Sequence, residues 1–208
     1  MLPPDYDLPE DELNAQKSGL RAQIRAARRA IPEAERIPRS QSAATIFIAN
    51  FIVPRQPSEP RLRVAGFWPS RAEIKVDLLL AELKHQNVAT CLPEVIAHGL
   101  ALIFREWSHG EPLVAGNGAE VPLPSARIVQ PDLVIVPLIG FDRRGGRLGQ
   151  GGGFYDRSLQ ALRRDRAITA VGIAYAEQEV AAIPRGEFDQ PLDAIVTDRE
   201  LIIPSDER

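Results

Sequence analysis

With 208 residues, 28 acidic and 25 basic side chains and a net charge of −3, the chain suits one well-buried domain and is short for two. A slight acidic excess argues against a general binder of nucleic acid or of membrane surfaces, for which surplus positive charge is expected. The single cysteine, Cys91, excludes an intramolecular disulfide and fits a reducing cytosol. No apolar run approaches transmembrane length and no apolar leader core is present, so the expected location is the cytoplasm, with neither nucleic acid nor membrane as partner.

Residues 1–10 carry Pro3, Pro4 and Pro9 among scattered acids and read as a flexible tail, which leaves 11–208 as one domain. From Asp11 to about Ile31, Leu20, Ile24, Ala27 and Ile31 recur at helical spacing and predict one apolar stripe. Lys17, Arg21, Arg25 and Arg28 lie beside that stripe within an arc of about 80° by helical geometry. Charge alone reads this as an ordinary solvated cationic face. Pro32 ends the helix and Pro38 is expected to begin another, with Ala43, Ile46, Phe47, Asn50 and Phe51 facing inward. Pro54–Pro60 reads as a loop, Arg63–Pro69 as a short strand and Leu78–Leu83 as a helix. Strands are expected at Val88–Leu92 and Leu100–Phe104, and Cys91 falls in the first of these as a small core residue. Gly110–Arg127 reads as loop. Ala167–Tyr175 and Ala194–Thr197 read as the last strands. His85, His98 and His109 show no metal-ligand spacing and read as surface residues.

The stretch Asp132–Leu159 stands apart from all of this. Leu133–Val136 is a continuous apolar run closed by Pro137, the pattern of a strand buried on both faces of a parallel sheet. A loop then gathers Gly145, Gly146, Gly149, Gly151, Gly152 and Gly153 with Arg143, Arg144 and Arg147, and Phe154, Leu159 and Leu162 open a helix. Strand, glycine loop and helix start are the arrangement in which backbone N–H groups and a helix dipole converge on an anion, most often phosphate. No GxxxxGK[ST] occurs, and Gly149-Gln150-Gly151 lacks the later glycine of a dinucleotide fingerprint. Alternating strands and helices predict an α/β three-layer, Rossmann-like fold with a mostly parallel sheet.

The GFD–G–RLG–GGG–YD–R run of this stretch resembles the signature of the 5-formyltetrahydrofolate cyclo-ligase family, also called methenyltetrahydrofolate synthetase, and the likeness extends from about Lys17 to Thr197. It implies a sheet of the sugar-isomerase and CoA-transferase type. It also implies conversion of 5-formyltetrahydrofolate and ATP to 5,10-methenyltetrahydrofolate, ADP and phosphate, with magnesium as cofactor and a monomer or weak dimer as the working state. In the family's Lys-x-x-Leu-Arg pattern, Lys17 and Arg21 reach nucleotide phosphates. Carried over residue by residue, the resemblance gives Lys17, Arg21, Arg147, Leu148, Gly149, Gln150, Gly151, Gly152, Gly153, Phe154 and Tyr155 to ATP. Arg147 and Tyr155 are the catalytic positions it implies. Trp68 and Glu73, with Gln150, Gly151, Gly152, Gly153 and Phe154, fall to the folate substrate, and Asp156 and Asp189 to the metal.

The residues taken alone leave blander readings open. A tryptophan near a strand end is core more often than ligand. Glu73 is a loop acid beside Arg71 and Lys75, Asp156 suits a helix-start cap, and Asp189 a solvated loop. Trp107 is expected to wall a pocket. Where the family often reads Gly-Ile-x-Glu-Pro, this chain has Gly118-Ala119-Glu120-Val121-Pro122, and no site residue is assigned there. Glu73-Ile74-Lys75-Val76 lacks the family's threonine hydroxyl, and Gln150 stands where an aromatic is common. A divergent paralogue, or a catalytically silent nucleotide-binding regulator that keeps the loop, are the competing functions.

Overall fold

The computed structural model describes residues 9–55, 61–70 and 72–205. The expected tail lies outside these up to residue 8, as do residues 56–60 of the expected loop and Arg71. The elements run α1 (Glu10–Ala30), α2 (Glu33–Phe51), β1 (Arg63–Ala65), α3 (Val76–His85), β2 (Ala89–Glu94) and β3 (Ile103–Glu106). There follow β4 (Leu113–Ala115), β5 (Glu120–Pro122), β6 (Ile128–Val129), β7 (Leu133–Val136), β8 (Gly140–Phe141) and β9 (Arg147–Leu148). The chain then forms α4 (Phe154–Asp165), β10 (Thr169–Ala174), a 3-10 turn (Ala176–Gln178), β11 (Ala194–Thr197) and β12 (Leu201–Ile202).

Eight strands form the main sheet in the order β12-β11-β10-β7-β1-β2-β3-β6. The five from β11 to β2 are parallel, whereas β12, β3 and β6 pair antiparallel at the edges. All four residues of β7 are buried, as a strand covered on both faces requires. Their alternation divides the core. Leu133 and Ile135 join Phe47 of α2 and Leu79, Leu80 and Leu83 of α3 on one face. Val134 and Val136 meet Leu159 of α4 on the other. Helices on both faces of a mostly parallel sheet make the three-layer α/β fold expected from the sequence.

Several boundaries differ from the sequence reading. The second helix begins at Glu33, not at Pro38: Pro32 caps it, Glu33 and Glu35 favour its positive N-terminal end, and Pro38 sits in the second turn at the loss of one ladder bond. Asn50 is exposed and bonds back to the Ile46 carbonyl, so it leaves the inner face to Ser40, Ala43, Ala44 and Phe47. β3 starts three residues later than the apolar run suggested. The Gly110–Arg127 segment is no plain loop, since β4 and β5 form a hairpin within it, Leu113 opposite Pro122. The glycine-rich stretch likewise folds back as the two-stranded ribbon β8–β9. Both hairpins are too short for period-two alternation to mark them.

The order of the sheet reverses between β1 and β7: from β1 the chain moves outward to β2, and from β7 the other way to β10. In open α/β sheets such a switch point leaves a crevice at the carboxyl ends of the strands.

Candidate active site

A cleft of about 750 Å³ opens at that switch point. Phe67 and Trp68 follow β1 into it, Pro93 and Val95 come from β2 and its exit, and Pro137, Leu138 and Ile139 follow β7. The β8–β9 ribbon and the start of α4 form another wall, with α1 alongside.

The ribbon owes its shape to Asp142, which is fully buried. Its carboxylate accepts the N–H groups of Arg144 and Gly146, both at 2.9 Å, that of Ile183 at 2.8 Å, and the Arg185 guanidinium at 3.3 Å. α1 packs against the ribbon through Ile24, within a cluster that includes Ile139, Leu148 and Ile183. Gly140 permits this approach, because a Cβ there would stand 2.3 Å from the Ile24 Cδ1. From the ribbon the backbone passes through Gly151 (φ +106°) and Gly153 (φ +65°), the second of these capping α4. Both angles lie in the left-handed region that disfavours other residues. The N–H groups of the first turn of α4 are thereby left beside the cleft.

α1 turns its cations to this loop. Arg21 Nε donates to the Gly149 carbonyl at 2.9 Å, and Arg25 bonds to the Gln150 side chain. Lys17 Nζ donates to Asp189 Oδ2 at 2.5 Å, and Arg147 Nη2 to Asp156 Oδ1 at 2.5 Å. Asp189 also accepts the Gly186 N–H, and Asp156 the Gln190 N–H. Burial pushes the Arg147 pKa down against the pull of Asp156 and Asp189, and its Nε is buried with no hydrogen bond. The Tyr155 hydroxyl is likewise buried without a partner, and burial drives its pKa up against the opposing pull of Arg147. Buried polar atoms without partners are uncommon, and these two belong to residues that line the cleft. Phe154 is flanked by the His98 ring at 5.8 Å and the Arg157 guanidinium at 5.3 Å.

On the other wall, Trp68 meets Trp107 edge to face with centroids 5.7 Å apart. Glu73 is no solvated acid, because its side chain is 12% exposed. One oxygen accepts the Ser70 N–H at 2.8 Å, and the other faces Arg28 at 3.9 Å.

Every sequence-assigned site residue lines this one cleft: Lys17, Arg21, Trp68, Glu73, the run Arg147–Asp156 and Asp189. Trp107 does not; it is 2% exposed, belongs to the core and supports Trp68 from behind. His98 is at the surface as expected, though its ring is used against Phe154. Glu177 pairs with Arg39 and Arg199, whereas Gln178 is buried and holds the Leu138 and Ile139 carbonyls at the cleft floor. The sequence reading missed Asn14, Asn117 and Glu120, which also line the cleft. Glu120 arrives on the β4–β5 hairpin, and only recognition of that hairpin could have placed it.

Among the described residues, no three His, Cys, Asp or Glu side chains are grouped to hold a metal. Asp156 and Asp189 nevertheless suit magnesium. The ion is commonly bound by one or two carboxylates together with substrate phosphates, and each aspartate here keeps one oxygen without a hydrogen bond.

The chain matches the model of the 5-formyltetrahydrofolate cyclo-ligase family over residues 13–198. It belongs to that family. A 5-formyltetrahydrofolate cyclo-ligase of Haemophilus influenzae is 31% identical over 189 residues, 86% of this chain and 97% of that protein. One from Escherichia coli is 32% identical over 183 residues, 84% and 96% of the two chains. Among solved structures, the 5,10-methenyltetrahydrofolate synthetase of Aquifex aeolicus superposes with a TM-score of 0.75 at 26% identity, covering 92% of this chain and 94% of that one. The synthetase of Mycoplasma pneumoniae gives 0.68 at 26% identity, over 88% and 98%. The family's glycine-loop signature therefore coincides with the switch-point cleft.

Proposed function

We propose that this cyclo-ligase family member converts 5-formyltetrahydrofolate and ATP to 5,10-methenyltetrahydrofolate, ADP and phosphate in the cleft between β1 and β7. An amide-like formyl oxygen is a poor leaving group until it is phosphorylated. The formyl oxygen therefore attacks the γ-phosphorus and the bond to ADP breaks. N10 then attacks the activated formyl carbon and loses its proton, and the C–O bond breaks to release phosphate. Such chemistry asks the protein for positioning and charge neutralisation rather than a covalent partner.

One observation carries the reading: a single cleft gathers Lys17, Arg21, Arg147 and the N-terminus of α4 with Trp68 and Glu73. Lys17, Arg21 and Arg147 would meet the phosphates, and the backbone of Gly149–Gly153, which lines the same cleft, would cradle them. Leu148, Gln150 and Phe154 complete the wall where nucleotide and folate meet. The unpartnered Arg147 Nε and Tyr155 hydroxyl are donors held ready for oxygen atoms of the transferring group. Trp68 offers a face to the pterin ring, and Glu73 accepts from its N–H groups. Asp156 and Asp189 would hold magnesium, which supplies neutralising charge on the phosphate oxygens. Residues 11–208 work as one domain, in the cytoplasm, as a monomer or weak dimer; the continuous main sheet supports the first of these, and no helix among the described residues is long and apolar enough to cross a membrane.

Purified protein with ATP, magnesium and 5-formyltetrahydrofolate should develop the near-ultraviolet absorbance of the methenyl product. ADP should appear in equal amount. Absence of that band with every nucleotide tried overturns the reading.

A further inference from the structure

Arg28 lies seven residues beyond Arg21 on α1, and its side chain is 8% exposed. A buried guanidinium ordinarily uses its fork of N–H donors, yet Nε and Nη1 of Arg28 are buried with no hydrogen bond. Burial pushes its pKa down, Glu73 pulls it back up, and the neighbouring cations Arg25 and Arg36 oppose it further. The carboxylate facing the group is that of Glu73, with Nη1 3.9 Å from Oε1. An enclosed cation needs a counter-charge, and this one has it at ion-pair range without a formed hydrogen bond.

The Glu73 loop is fixed on either side of that contact. Glu73 Oε2 accepts the Ser70 N–H at 2.8 Å, and the Glu73 N–H donates to the Ser70 carbonyl at 3.0 Å. Two residues on, the Lys75 N–H donates to the Ser40 hydroxyl of α2 at 3.0 Å. The backbone is thus held while Oε1 is left between the cleft and Arg28.

We propose that Arg28 is a positioning residue of the folate wall, holding the Glu73 carboxylate so that its remaining lone pairs meet the N–H donors of the substrate ring. The inference rests on the reading of Glu73 as a substrate ligand. Arg28 itself does not line the cleft. It acts through Glu73, and its two idle nitrogens give it reach to tighten onto Oε1 when the cleft is filled.

The test is a mutant cycle of Arg28→Met and Arg28→Lys with Glu73→Gln. KM is measured separately for 5-formyltetrahydrofolate and for ATP, and Tm is recorded for each variant. With the counter-charge to Glu73 gone, Arg28→Met should raise the folate KM about tenfold and leave the ATP KM within about twofold. Arg28→Lys keeps the charge and should recover most of that loss, to within about threefold of wild type. In the Glu73→Gln background either change should move the folate KM less than about twofold, since the partner is gone. A Glu73→Gln variant with unaltered folate KM removes Glu73 from the site and this inference with it. A weakened Glu73→Gln beside a silent Arg28→Met leaves the site reading intact and overturns the inference alone. Equal factors in both backgrounds, or parallel rises in both KM values with a lowered Tm, also overturn it. Should Arg28→Met fail to fold, Arg28→Gln takes its place in the cycle, with the same expected rise and the same criterion.

Discussion

The two walls of the cleft satisfy their polar groups in opposite ways. On the wall built by α1, the glycine loop and α4, each cation named above has a partner: Lys17 holds Asp189, Arg147 holds Asp156, Arg21 a loop carbonyl and Arg25 a loop amide. The wall that follows β1 and β2 is apolar around Trp68, Phe67, Pro93 and Val95, with one half-satisfied carboxylate, Glu73. The first wall pairs its charges within itself, yet it keeps open Arg147 Nε, the Tyr155 hydroxyl and one oxygen on each of Asp156 and Asp189. Donors suited to an anion and oxygens suited to a cation thus stand side by side there. The second wall presents an aromatic face and a carboxylate oxygen instead.

Arg147 offers the strongest way to break this contrast. Arg147→Ala removes the phosphate contact proposed for it and leaves Asp156 without its cation, so kcat/KM for ATP should fall about tenfold to a hundredfold, the range for a charge-assisted bond. Folate affinity should hold. Steady-state kinetics with each substrate varied in turn checks this, and unchanged ATP dependence would count decisively against the assignment.

The paired aspartates sharpen the same contrast with a smaller effect. Asp156→Asn and Asp189→Asn keep the shape of the side chain but remove the anion that a hard divalent ion needs, so each should raise the magnesium requirement about tenfold. Neither should unfold the chain. Magnesium titrations that overlay the wild type would remove both carboxylates from the metal site.

How far this wall was legible beforehand follows from its construction. Leu133–Val136, the glycines and the helix start at Phe154 are contiguous, so strand, loop and helix could be read in order. The cationic stripe of α1 could be read as a stripe, but its target could not. Nothing local says that Arg21 meets Gly149, 128 positions away. Asp142 was visible only as part of a signature, because its role comes from Ile183 and Arg185 folding back over the ribbon. The apolar wall was less legible still. Trp68 and Trp107 look alike as aromatics near strand ends, and only the sheet's order separates the one in the cleft from the one behind it. Glu120 depends on a hairpin of three-residue strands, below the length at which alternation carries a signal.

On the apolar wall the expected losses are milder. Trp68→Ala removes a ring face worth about 0.5–1.5 kcal/mol, so folate affinity should drop about threefold to tenfold. ATP affinity should stay near wild type, since Lys17, Arg21 and Arg147 are untouched. Calorimetry with each ligand separates the two. Parallel losses would mean that the tryptophan pair supports the whole cleft rather than one wall.

The smallest effect belongs to the sheet beneath both walls. Cys91 lies on β2, level with Ala65 of β1, fully buried with its Sγ 3.8 Å from the Val64 carbonyl. Burial pushes the thiol pKa up to about 12. The thiolate is the reactive form, so at pH 8 the native chain should react with a disulfide reagent at least about a hundredfold more slowly than the chain in denaturant. The linkage has a definite sign. A thiol held protonated in the fold contributes its stability in full below the unfolded value of about 8.5 and loses it as pH rises from there towards 12. Cys91→Ala should therefore lessen alkaline unfolding while leaving both KM values within about twofold, because the residue does not line the cleft and loses only a small buried group. Labelling at the rate of a free thiol would mean that β2 opens readily, and the contrast between the walls would then have to be explained by motion of their common floor rather than by how each wall's charges are paired.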